Sequence, residues 1–176
     1  LIIFAIISLI KLLKNPEEVS VDEFLKAADT IHKGMEDNGF TYLRGGANQE
    51  NYESSLNGSR TVDCSAYVSW VIQEVGLISK DGKLWTGNGP GSSDEGTFYG
   101  KFADYLYTRE EAGGLQPGDI LLSPDHTQIN GEAEGGSFIQ YNAGGNDAIS
   151  SRPYAYDPDF YTHIIRFRFN GDTTIA

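Results

Sequence analysis

The sequence predicts an α+β domain in which N-terminal helices pack on an antiparallel β-sheet. Two segments of the first half, 19–39 and 63–76, carry apolar residues at helical spacing. Four short β-rich or alternating runs, bounded by Gly, Pro, Asn and Asp, fill the second half. The chain has 176 residues, the size of a single domain, with 21 Gly, ten Tyr and nine Phe, a composition of strands and tight turns more than of a helical bundle.

The run Leu1–Ile10 is uncharged and almost wholly apolar and is followed by Lys11 and Lys14. It is shorter than the ~20 residues a membrane-spanning helix needs. Residues 1–14 are expected to be the tail of a membrane anchor or a signal core, the alternative being a short buried helix. Residues 15–19, opening on Asn15 and Pro16, are expected as a linker, and residues 20–176 as the domain. In the first helix Ser20 and Glu23 fit a capping box, and Phe24, Ala27, Ala28, Ile31 and Met35 form the apolar stripe. Gly39 is a stop signal, and His32, beside the stripe, is expected to be structural.

In the second helix Val68, Val71, Ile72 and Val75 mark a buried face, Asp63 is the N-cap and Gly76 the stop. Residues 79–100 are turn-rich and read as a long surface loop. It is either a plain connection or a groove wall built on Trp85 and Tyr99. Strands are expected at 118–123, 126–130, 137–143 and 162–169, with the GEAEGG stretch as a hairpin loop.

Several function classes are excluded. The formal net charge of −12 argues against sequence-independent nucleic-acid binding, which needs Lys and Arg to neutralise phosphates. With one cysteine, Cys64, neither an intrachain disulfide nor a multi-cysteine zinc site is possible. No P-loop, HExxH or GxGxxG is present, and no metal or organic cofactor is implied.

Cys64 falls in the first turn of its helix, where unpaired N–H groups and the macrodipole favour negative charge. Its thiol is therefore expected to ionise more easily than the reference value of about 8.5. A cysteine nucleophile needs a base, and the histidines are His32, His126 and His163. His126 opens a strand, which can hold its ring, and His163 is the reserve. The base needs an acceptor that fixes its tautomer. Gln140 and Asn142 lie two apart on the next strand, hence on one face, and can meet His126 if the two strands pair.

In order along the chain, YLRGG (42–46), DCSAYVSWV (63–71), LQPGDIL (115–121), DHTQI (125–129) and YNAGG (141–145) resemble the motifs of the NlpC family of cell-wall cysteine peptidases. Those motifs are YxxGG, DCSGxV, LxPGD, HVGI and a final polar residue in a segment like HAxxG. The resemblance covers residues 20 to about 168. It implies a papain-like fold, an extracytoplasmic location, a monomer, and cleavage of peptidoglycan stem peptides, often between D-glutamate and the following diamino acid. By motif position it makes Cys64 the nucleophile, His126 the base and Asn142 the third polar residue. Tyr42 falls near the oxyanion, and Asp63 and Ser65 beside the acyl-side pocket. Ala66 stands where the family has Gly, Arg44 where Trp is common, and Asn142 where His is commoner; Asp125, Thr127 and Gln128 replace small or apolar residues around the histidine. Two other readings stand beside it: an amidase of the CHAP type cutting the sugar–peptide bond, and an inactive wall-binding module. Membrane contact is expected only through residues 1–14.

Overall fold

The computed structural model describes residues 13–45, 51–87, 89–144, 150–154 and 161–171. Helix α1 (Val21–Asp37) begins as its sequence dictates, with Ser20 Oγ accepting the Glu23 N–H at 3.1 Å. The Glu23 carboxylate does not close the capping box but pairs with Lys14 at 2.8 Å. α1 buries Phe24, Leu25, Ala27, Ala28, Ile31, His32 and Met35. Gly39 ends the turn after it at φ +66°, a conformation open to glycine at little cost.

Two expectations for the N-terminal region are corrected here. Residues 15–19 are no linker: Pro16–Glu18 form a 3-10 turn with Pro16 buried, and Val19 has no exposed surface. The Val19 carbonyl accepts from the Asn170 N–H at 2.7 Å, and the Lys14 N–H reaches the Gly76 carbonyl at 2.9 Å. Backbone bonded on its two sides to Gly76 and Asn170 cannot act as a free connection. Membrane contact through residues 1–14 is withdrawn as well. Among the described residues no helix is long and apolar enough to cross a membrane. Residues 1–12 themselves lie outside the described residues.

β1 (Thr41–Tyr42) pairs in parallel with β2 (Thr61–Val62), and short helix α2 (Tyr52–Leu56) lies between them in sequence. Helix α3 (Cys64–Glu74) follows directly. The sequence marks one apolar face on it, yet every residue from Cys64 to Gln73 is buried. α3 packs on both α1 and the sheet, so it has no solvent face. Two of its polar side chains are satisfied locally: Ser69 Oγ accepts the Leu84 N–H at 3.0 Å, and Gln73 donates to the Gly82 carbonyl at 2.8 Å.

The sheet has six strands in the order β3-β8-β4-β5-β6-β7, every described pair antiparallel. They are β3 (Leu106–Thr108), β4 (Ile120–Ser123), β5 (His126–Glu134), β6 (Ser137–Asn142), β7 (Ser150–Tyr154) and β8 (His163–Ile165). The α+β expectation holds. The GEAEGG stretch is not a loop, because β5 continues to Glu134 and only Gly135 and Gly136 turn, at φ +59° and +85°. The run 162–169 is strand only over its first part; beyond it Phe167 and Phe169 stay buried and meet the Phe24 ring at 6.2 and 5.3 Å. One large core lies between α1, α3 and the sheet; a smaller one, around Leu121, Tyr161 and Ile164, covers the opposite face.

Candidate active site

The site is built where α3 begins. Asp63 is its N-cap and is itself buried. Asp63 Oδ1 accepts both the Ala66 N–H at 2.7 Å and the Ser65 hydroxyl at 2.8 Å. This pair of hydrogen bonds to one oxygen fixes the first turn, and Cys64 is its first residue. β2 delivers the chain to that point, and the pairing of Tyr42 with Val62 sets Tyr42 beside the cysteine. The neighbouring thiol and Asp63 both help raise the Tyr42 pKa, after burial, the largest cause.

Cys64 borders a cavity of about 230 Å³ whose walls include Tyr42, Arg44, Ser65, Trp85 and Asp125. Arg44 and Asp125 approach across it at 3.4 Å, both well exposed. The 79–100 segment thus supplies a groove wall, through Trp85 and not through Tyr99, which is buried. Lys83 Nζ lies 4.0 Å from the centre of the Trp85 ring, a cation–π contact. Burial lowers the Lys83 pKa, and the Asp63 charge partly opposes it. Lys83 carries no sequence signal beyond its place in a turn-rich loop.

β5 closes the site from the sheet side. The Thr127 backbone N–H hydrogen-bonds the Cys64 sulfur, so the thiol lies against the residue that follows His126. By the strand register, Asn142 on β6 falls opposite Gln128, on the face His126 shares. A Cβ at Gly144 would sit 3.0 Å from His126 Cε1 and 3.6 Å from both His126 Nδ1 and Asn142 Oδ1, which puts the Nδ1 edge of the ring next to the amide. Hydrogen bonding to Asn142 raises the His126 pKa, yet Asn142 Oδ1 has no bond of good geometry.

The electrostatics correct one expectation. Burial pushes the Cys64 thiol up, against the Thr127 N–H bond that lowers it, and the Asp63 charge pushes it further up. The sulfur is 6% exposed as a residue, so desolvation outweighs the helix terminus. Burial also pushes His126 down, with Asn142, Asp125 and Gln128 opposing. Both shifts favour a neutral thiol beside a neutral imidazole in the resting site.

Tyr42, Asp63, Cys64 and Ser65 line one cavity, while His126 and Asn142 lie together on the neighbouring strands β5 and β6. The structure does not bring in the other histidines. His32 is in the core, its ring 6.4 Å from Tyr67 and 6.2 Å from Tyr141. His163 is on β8, with β4 between it and β5. Gln140 does not approach the ring but bonds Gln128 and Asn130, both at 2.6 Å. Among the described residues no three His, Cys, Asp or Glu side chains cluster as a metal site. No protein-family model, curated protein or solved structure matches the chain.

Proposed function

We propose that the chain is a cysteine endopeptidase of the bacterial cell wall that cuts peptidoglycan stem peptides outside the cytoplasm, on a papain-like arrangement of helix and sheet. One observation carries the reading: a cysteine that opens a buried helix, borders a groove, and touches the strand that begins with His126 and lies beside Asn142. The ordered motif resemblance supplies the substrate class, with the D-glutamyl–diamino acid bond as the expected target.

Since both groups rest neutral, the proton moves when substrate arrives. His126 takes the Cys64 proton as the sulfur attacks the peptide carbonyl. The oxyanion is met by the Tyr42 hydroxyl and by first-turn N–H groups of α3. The C–N bond breaks, His126 passes the proton to the leaving amine, and a thioester remains on Cys64. Water then loses a proton to His126 and attacks the thioester, and the sulfur leaves as a thiol. Asn142 holds the imidazole, while Asp63 and Ser65 line the acyl side.

The test is digestion of purified peptidoglycan by the full chain, with the fragments identified by mass spectrometry. New free amino groups within the stem peptide support the reading. Release of intact stem peptides from the sugar would make it an amidase, and no release would leave a wall-binding module.

A further inference from the structure

Among the described residues that line the Cys64 cavity, Arg44 carries the one basic side chain. Its backbone is held close to the start of α3. The Leu43 N–H bonds the Val62 carbonyl at 2.9 Å, so Arg44 comes one residue past a bond to the strand that delivers Asp63 and Cys64. Burial raises the Tyr42 pKa most, and the Arg44 charge opposes it, so the guanidinium acts within electrostatic reach of the phenol beside Cys64. Two acidic side chains line the same cavity. Asp63 is 3% exposed, and its Oδ1 is committed to the Ala66 N–H and the Ser65 hydroxyl. Asp125, in the turn between β4 and β5, is the one that meets Arg44.

That meeting is loose. Arg44 Nη2 lies 3.4 Å from Asp125 Oδ2, and the two side chains are 74% and 68% exposed. A pair so long and so solvated contributes little, and parting it leaves no buried charge. A guanidinium carries five donors in a planar fork that fits a carboxylate through two parallel bonds, a fit that one long contact does not use. The chain has a net charge of −12, so its field repels an anionic substrate, and a cation on the groove wall offsets that where the bond is cut.

We propose that Arg44 is a specificity-determining residue, which exchanges Asp125 for a substrate carboxylate on the acyl side of the bond that is cut. The identity of that carboxylate rests on the peptidase reading. A glutamyl donor has two carboxyl groups; with one in the scissile bond, the other is free. Arg44 shares its cavity with Asp63 and Ser65, which line the acyl side, so the free glutamyl carboxylate is the one within its reach. Asp125 is the resting partner that keeps the guanidinium at the groove, and Ser123 Oγ in turn donates to Asp125 Oδ1 at 3.4 Å. A stem peptide whose free glutamyl carboxylate is amidated is then a poor ligand.

The probes are L-alanyl-D-glutamyl-L-lysine, joined through the glutamate side chain, and the same peptide with its free glutamyl carboxylate amidated. Their dissociation constants are measured by calorimetry on the full chain carrying Cys64→Ala, which cannot turn them over, and on that chain with Arg44→Gln added. The acidic peptide should bind at least about tenfold more tightly than the amide, and Arg44→Gln should bring the two within about twofold by weakening the acidic peptide alone. Arg44→Lys, which keeps the charge and loses the fork, should fall between. Equal binding of the two peptides with Arg44 in place overturns the assignment, as does a preference that survives Arg44→Gln, or binding of neither peptide. Where the wild type cuts the peptides, the same preference must appear in kcat/KM, which needs no variant to fold. A preference lost with Arg44 supports the assignment even if whole peptidoglycan is not digested, a result that would sink only the peptidase reading. Digestion without any such preference sinks only the assignment.

Discussion

Arg166 grips Asp119 with both edges of its guanidinium, Nε to Oδ1 and Nη2 to Oδ2, each at 2.8 Å. The same guanidinium donates to the carbonyls of Ala112 and Gly114, and Asp119 is 1% exposed. The Pro-Gly-Asp segment at 117–119 invites a turn; the structure makes that aspartate the tie between the turn and the chain that continues β8.

Removing one partner of a buried, bidentate pair leaves an uncompensated charge. Asp119→Ala should lower stability by about 3–5 kcal/mol, read as a shift of the urea midpoint. Arg166→Lys, which keeps the charge and loses the fork, should cost visibly less. Equal losses for both would mean that the forked geometry, and not the charge, carries the tie.

Gly144 has no room to grow. An added methyl would stand 3.0 Å from His126 Cε1. Gly144→Ala should displace the imidazole by a few tenths of an ångström and reduce kcat roughly tenfold, with little change in Tm. An unaltered kcat would show that the ring is not held where the site needs it.

Acid sensitivity follows from two histidines, His32 buried and His126 half-buried. Burial depresses the folded-state pKa of His32 below 6.5, although Glu36 and Asp29 pull it upward. His126 is depressed too, again mainly by burial. Between each folded value and 6.5 the unfolded chain holds a proton that the folded chain lacks. Stability is thus fully present above 6.5 and is lost as the pH falls through that window. His32→Leu should remove about half of the slope of unfolding free energy against pH between about 6.5 and the folded values. Urea titrations at several pH values check it, and an unchanged slope would contradict it.

The ends of α1 and α3 were readable because caps are local: Ser20 and Asp63 each bond a backbone N–H three residues on. Strand β7 was hidden because Pro153 lies inside it; it is the edge strand, where a missing N–H costs no ladder bond. Strand β3 is three residues long and exists only by pairing with β8, more than fifty residues later. At the site, the order Cys64, His126, Asn142 could be read from spacing and motif. The direction of the Cys64 pKa could not, because it depends on burial by β5 and not on the helix that carries the thiol. Gln128, Lys83 and the Thr127 N–H gave no local signal; they matter through where the sheet and the 79–100 segment bring them.

The central claim is that Cys64 becomes acylated. Acid-quenched mixtures of the full chain with stem-peptide substrate, examined by intact-protein mass spectrometry, test it most directly. The wild type should carry an adduct with the mass of the acyl half of the cut peptide, mapped to Cys64, and Cys64→Ala should carry none and release no product. Product release by a folded Cys64→Ala at a rate near the wild type would contradict the account.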